Sequence, residues 1–455
     1  MNLLAYGEKA VRRALASGAQ ETEAFLAKGR CFVVEIERGQ IARSSSMVDE
    51  GLGVRAVIGK AWGFAYTNKL TDEEVEKAAL AALRAARAGK PDEAWKGFPA
   101  SRKLPKAKGT YDEEVAGLPA EEAVNLASKM LRTAQSFDGR VLAVEGSVGV
   151  SLVEKAVVNS LGVHACDRGT RTECFLGAIA KEVGETTPLC FEFDAHCSLR
   201  INPEKVGEEA ARLAVSALGA EDLETGSYTV VLGQSALLGI FYHSLIPSLK
   251  ADNVQRGKSK LKGKIGVNIA SELLTIHDDG LREGGLHTWS FDDEGHPSQR
   301  TTLIEKGVLK GYLYDSYTAG KEGVESTGNA WRSHPAPYAW TPIIEATNFT
   351  VTPSTISPER LLSEVKKGVF IPYVQGAHSS NPESGEFSVV AAPAWKIEEG
   401  QVGRPLKGVM LTGTIYELLR NISGLASNLR QLALLVAPWI RIEDARLVGR
   451  RGEEG

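Results

Sequence analysis

The 455-residue sequence holds no apolar run long enough to cross a bilayer. Its most apolar late stretch, Leu432–Ile440, contains Pro438 and falls far short of the ~20 residues a spanning helix needs. The opening segment MNLLAYGEKAVRRAL has neither a long apolar stretch nor a small-residue cleavage site, so no secretory leader is expected. Cysteine is scarce. The five, Cys31, Cys166, Cys174, Cys190 and Cys197, are odd in number and confined to the N-terminal half. That is no disulfide framework, and it predicts a reducing, cytoplasmic location. Charge of one sign is also missing: 53 basic against 57 acidic residues give a net −4, which argues against a general nucleic-acid binder. Low-complexity segments and short repeats are absent. So are several signatures of chemistry: there is no HExxH, no G-x-S-x-G elbow, no P-loop and no CxxC pair.

What is present is ordinary core material. Apolar residues make up 43% and charged residues 24%, and a chain of this length predicts two or three domains. Residues 3–17 read as an amphipathic helix with Leu3, Val11, Ala14 and Leu15 on one face. Residues 23–37 and 40–66 read as strands, with turns at Arg38-Gly39 and around Ser44–Ser46. Thr71 is a good N-cap, followed by Asp72, Glu73 and Glu74 at the positive end of a helix that runs to about Ala88. A Pro- and Lys-rich loop fills 91–110 and a helix fills 119–136. Strands then alternate from Val141 to about Leu199. The next helix, 203–218, has Asn202 as N-cap, Pro203 at its first position and Gly219 past its end. The polar linker that follows sets the expected boundary between an N-terminal domain, 1–220, and a C-terminal domain, 221–455.

The second half is β-rich, beginning with a buried strand at 228–232. Ser357 and Pro358 open a helix expected to stop at Gly368, and Thr414 with Glu417 forms a capping box. The fold class is therefore α+β: an N-terminal α/β domain with helices on a curved sheet, and a mostly antiparallel β C-terminal domain.

Candidate chemistry gathers in a few places. Cys190, Glu192, Asp194 and His196 share one face of a strand. The expected arrangement turns them to solvent and Phe191 and Phe193 to the core, rather than making a metal site. Lys258, Lys260, Lys262 and Lys264 alternate and read as a solvated face rather than a DNA contact. Asp292, Asp293, Glu294 and His296 surround Gly295, either in a tight glycine turn or along a groove. The segment 378–387 is a long polar loop, a usual place for function.

The most informative stretch is GQSALLGIFYHSLIPSLKADNVQRGKS, 233–259. Together with WSFDDEGHPSQRTTLIEKGVLKGYLYDSYTAGKEGVESTGNA at 289–330 and GVFIPYVQGAHSSNPESGEFSVVAAPAWKIEEGQVGRPLKGVMLTGTIYELLRNI at 368–422, it resembles the TldD/PmbA family, also called the modulator of DNA gyrase family. Nearly the whole chain takes part in the resemblance. In the family's TldD branch the corresponding helix carries HExxxH. Here His243 matches the first histidine, while Ser244 stands at the glutamate and Ser248 at the second histidine. A catalytic zinc needs about three protein ligands and a carboxylate to take the water's proton, and serine serves neither purpose. Pro247 also disturbs the helix that would align two histidines. The family's late metal-ligand cysteine has no counterpart after Cys197.

The resemblance is to the PmbA/TldE branch, which lacks the motif. It implies a subunit with no catalytic residue and no metal of its own, and with zinc held by a TldD-like catalytic partner in a heterodimer. A homodimer is allowed when that partner is missing. The implied substrates are peptides, with no role for membranes or nucleic acid. The residues it would place along a groove are Asp252, Asn253, Ser259, Asp292, Glu294, Gly295, Arg300, Thr301, His378 and Glu386. Two alternatives stand beside it. One is a metallopeptidase in its own right, using His243, His378 and the carboxylates at 292–294. The other is a DNA-associated binding module using Lys258–Lys264. His243 itself reads more readily as a histidine satisfied in a helix core than as a relic metal ligand.

Overall fold

The structure is a computed structural model and describes residues 2–450. Helix α1, Leu3–Ala16, is capped by the Asn2 side chain and buries Leu3, Val11 and Ala14. Leu15, expected on that face, is exposed because it lies beside the stripe rather than on it. Strands β1 (Glu21–Glu37), β2 (Gln40–Ile58) and β3 (Ala61–Thr67) follow as an antiparallel meander. No turn interrupts Ser44–Ser46. These serines stay in β2 opposite Ser46↔Phe32 to Ser44↔Val34 pairings, and the chain turns at Gly59-Lys60 instead. Exposed, small polar residues are compatible with a sheet edge that faces water, and this misled the periodic reading.

Thr71 caps α2 (Asp72–Ala88), its hydroxyl accepting the Glu74 N–H, an arrangement worth about 1 kcal/mol. The short α3 (Glu113–Ala116) and the longer α4 (Ala120–Phe137) lead into β4 (Val141–Asn159), β5 (His164–Glu182), β6 (Glu185–Thr186), β7 (Cys190–His196) and α5 (Pro203–Ser216). Asn202 caps α5 as expected. All seven strands form one curled sheet in the order β3-β2-β1-β4-β5-β6, with β7 also on β5.

Side chains alternate across this sheet. On one face Ala24, Leu26, Val54 and Ala156 pack under α1 and α2. Val34, Val148 and Leu176 pack under α4 and α5. The opposite face turns Phe25, Ala27 and Val157 toward Phe291 and Tyr338 of the second half. In β7 the expected sidedness is reversed at its start: Cys190 is fully buried, while Phe191 and Phe193 are only half-buried and stack on each other. The cause is α5, which covers the Cys190 side of the strand.

The second half carries a ten-stranded and a six-stranded sheet, mostly antiparallel. In the larger sheet, Gly226–Leu232 lies between Ile440–Val448 and Lys367–Ile371, and its pairing with the latter is parallel. Ser357 opens a helix over Pro358–Ser363, but that helix ends at Glu364, because Lys367–Ile371, with Gly368 inside it, is already strand. The Thr414–Glu417 capping box forms in both directions. Between the sheets lies the largest core, which includes Leu237, Ile240, Phe241, Leu245 and Leu249. Among the described residues, no helix is long and apolar enough to cross a membrane.

Candidate functional site

The segment 234–249 is one helical run broken in the middle. Gln234–Ile240 is α-helical, Phe241–Leu245 is a π turn, and Ile246–Leu249 is α-helical again. Pro247 has no N–H to give the carbonyl four residues back. The Ile246 N–H instead reaches five residues back to Phe241 O, which widens the turn that carries His243.

His243 is half-buried, with Tyr242 edge-on at 5.0 Å. Burial, and then the nearby His378, hold its pKa below the ordinary value, so the ring is neutral at physiological pH. Ser244 is fully buried and its hydroxyl has no hydrogen-bond partner. Ser248 is fully buried too, with its Oγ 3.1 Å from Tyr416 Oη and 3.0 Å from the Ser244 carbonyl. Ser259 donates to the Ser248 carbonyl at 2.7 Å. The loop expected at 378–387 folds over this helix, with the Pro382 carbonyl 3.4 Å from Ser248 Oγ. Lys258, on the neighbouring turn, pairs with Glu383 at 2.9 Å.

The structure therefore brings together His243, Ser244, Ser248, Ser259 and His378. Of the other expected groove residues, Asp252 and Asn253 follow directly on this helix and Glu386 lies at the end of the loop that covers it, while Arg300 and Thr301 lie elsewhere. Asp252 pairs with Arg256, and Asn253 Nδ2 donates to Pro247 O at 2.9 Å. Arg300 and Thr301 lie on a strand opposite Asp279 and Asp278. Glu386 is exposed and accepts the Ser384 hydroxyl at 3.0 Å. The lysine run is neither strand nor helix; Lys258, Lys260 and Lys262 are exposed on turns.

Asp292, Asp293 and Glu294 belong to a different construction, a buried charge cluster that joins the two halves. Glu23 of β1 accepts from Arg55 Nε (3.0 Å) and Nη2 (2.6 Å), and from Arg332 Nη2 (2.6 Å). Arg55 also reaches Glu294 at 2.9 Å, and Lys155 reaches Asp293 at 2.8 Å. Glu23 and Arg332 are wholly buried. Burial alone would raise the Glu294 carboxyl, but Arg55 and the Ser316 N–H hold it below its ordinary value. Burial, and then the Glu294 charge, push Asp292 well above the carboxylate range. Burial brings Arg332 down to about 10, while Glu23 and Glu294 overcome burial and hold Arg55 above its ordinary value. Both guanidiniums thus stay charged at neutral pH. Gly295 makes the turn with φ +81°, and a Cβ there would lie 2.5 Å from Val163 Cγ1, so the turn depends on glycine, while Asp292 and Asp293 also line a cavity.

Tyr416, and the set of Glu23, Arg55, Lys155 and Arg332, were missed from sequence. One signal was available. Glu23 alternates with Phe25 and Ala27 on a face that is otherwise apolar, and a charge at such a position needs a buried partner.

Three family models match in succession. They are PmbA/TldA metallopeptidase domain 1 at 22–86, the central domain at 113–218, and the C-terminal domain at 225–449. The chain belongs to the PmbA/TldD metallopeptidase family. An uncharacterized protein of Methanocaldococcus jannaschii is 30% identical over 92% of this chain and 94% of its own length. A metalloprotease TldD homolog of Haemophilus influenzae is 29% identical (86% of this chain, 82% of its own), and metalloprotease PmbA of Escherichia coli O157:H7 is 26% identical (97% and 96%). The crystal structure of TldE from Thermococcus kodakarensis superposes with a TM-score of 0.91 at 27% identity, covering 98% of this chain and all of that one. Overall identity thus does not separate the branches of the family, and the residues on the interrupted helix must.

Those residues do not fit a catalytic zinc. The imidazoles of His243 and His378, a hydroxyl with no partner among the described residues and a hydroxyl tied to Tyr416 offer two good ligands where about three are needed, and no carboxylate among them to take a water's proton. The carboxylates at 292–294 are engaged by Arg55, Lys155 and backbone N–H groups.

Proposed function

We propose that this chain is the companion subunit, without zinc chemistry of its own, of a cytoplasmic TldD-type metalloprotease that processes peptides. A second, TldD-like chain carries HExxxH and the zinc. The observation that supports this reading is the pair Ser244 and Ser248. Both sit on the helix where the family's catalytic branch keeps its base and second imidazole, both are fully buried, and Ser248 is fastened to Tyr416. A hydroxyl there has an ordinary pKa far above neutrality and cannot serve as the base for a metal-bound water. The role left to this chain is to supply wall and interface.

The test is co-expression with an HExxxH-bearing homologue, followed by zinc analysis and peptidase assays on each chain alone and on the mixture. The expected result is co-purification, zinc in the partner, and hydrolysis by the mixture only. Stoichiometric zinc with full peptide hydrolysis by this chain alone would overturn the reading.

A further inference from the structure

A second site lies away from the interrupted helix. Between the inward face of the curled sheet and the segments 285–298 and 328–347 is a cavity of about 450 Å³, within the roughly 300–1,000 Å³ typical of small-molecule pockets. None of its walls comes from 234–249. Its body is aromatic, with Phe25 from β1 meeting Trp289, Phe291 and Trp331 from the second half.

The acids at its margin already have partners, Glu173 among them through its ion pair with Arg171. Asp292 accepts three backbone N–H groups, Asp293 takes Lys155, Asp49 takes the Tyr338 hydroxyl, and Glu345 takes Lys250. The Lys155 ammonium is spent as well, bonded to Asp293 and to the Phe291 carbonyl and lying 4.6 Å over the Trp289 ring. The donors that remain are different. Arg171 of β5 lines the cavity; its Nε forms an ion pair with Glu173 at 3.4 Å but has no hydrogen-bond partner among the described residues, and its side chain is about a third exposed. His287 lines the cavity and is anchored by its backbone N–H, which donates to Asn348 Oδ1 at 3.2 Å. His334 lines the same wall, its ring 5.7 Å from that of Trp331. Burial, and then Arg171, push the His287 pKa down to about 3, so its ring is a neutral donor.

A buried guanidinium nitrogen held only by a loose ion pair and by no hydrogen bond carries a desolvation cost that a ligand's anion would lower. We infer that this cavity is a binding site for a small carboxylate with an apolar, preferably aromatic, body. The carboxylate meets Arg171 and His287, and the body lies between Phe25 and the two tryptophans. Two sources share that chemistry, the C-terminal residue of a short peptide and a free arylalkanoic acid. The inference needs neither zinc nor a partner chain, so it stands or falls separately from the companion-subunit reading.

The experiment is calorimetric titration of the purified full chain with 3-phenylpropionate, its primary amide, the dipeptide Gly-Phe and its C-terminal amide. Each acid is expected to bind about tenfold or more tightly than its amide. The stronger of the two acids identifies the source. Arg171→Gln is expected to remove the preference for acid while leaving the amides unchanged, and Arg171→Lys to restore part of it. Should Arg171→Gln fail to fold, the acid–amide comparison on the unaltered chain still decides. Equal affinity for acid and amide, or no binding of either acid, would overturn the inference.

Discussion

Replacing Glu23 by Gln tests the buried charge cluster most directly. The carboxylate takes two bonds from Arg55 and one from Arg332, at 2.6–3.0 Å; Glu23 and Arg332 are wholly buried and Arg55 nearly so. Glutamine keeps the shape but has one acceptor oxygen, and its amide N–H₂ would face a guanidinium. Removing one partner from a buried ion pair typically costs ~3–5 kcal/mol, because the charge left behind is uncompensated. That is a large share of the ~5–15 kcal/mol that holds an ordinary domain together. The assay is urea unfolding followed by far-UV circular dichroism, with the midpoint expected to fall and the slope to hold. Arg332→Met should cost a similar amount. The double variant should cost less than the sum by more than about 1 kcal/mol, since both changes remove the same contact. A loss under about 1 kcal/mol for Glu23→Gln, or strict additivity with Arg332→Met, would refute the reasoning.

Other outcomes are equally specific. Ser244→Ala removes a buried hydroxyl that has no partner and should stabilise the chain by about 1 kcal/mol or more, read as a higher unfolding midpoint; a loss of stability would mean the hydroxyl is satisfied. Burial raises Asp278 to about 6, against the opposing bonds from Asn329 and Thr347. Its folded pKa is thus above the unfolded ~3.9, so its contribution is complete below pH ~4 and is lost as pH rises through 6, by about 3 kcal/mol. Asp278→Asn should flatten that slope, and an unchanged difference between pH 4.5 and pH 7 in the variant would contradict it. Gly295→Ala would meet Val163 in a left-handed turn and should cost about 1–3 kcal/mol in thermal unfolding; a neutral result would show that the turn can relax.

Local chemistry was the most legible part of the sequence. Thr71, Asn202 and the Thr414–Glu417 box announce helix starts because a capping side chain bonds within three residues of itself. That Ser244 and Ser248 lie one turn apart on the same helical run was also legible, as it depends on spacing alone. What long-range packing decides was not. Ser44–Ser46 have turn-like composition, yet pairing with β1 keeps them in strand. Asp293 and Glu294 look like open acidic groups until Lys155 and Arg55 arrive from positions more than a hundred residues away. Cys190 faces inward because α5 lies over it, a fact that resides in another segment.

The placement of Glu23, Arg55 and Lys155 has a consequence for how the long strands find one another. β1 runs beside β2 with Glu23 opposite Arg55, and beside β4 with Ala27 opposite Lys155. Slipping β1 by a single residue would swing Glu23 beneath the apolar helices and turn Leu26 toward the charges. Every misaligned pairing would strand a charge in a greasy layer. The cluster thus works as a key cut for one alignment, rejecting near-miss ladders that strands of seventeen and nineteen residues could otherwise form.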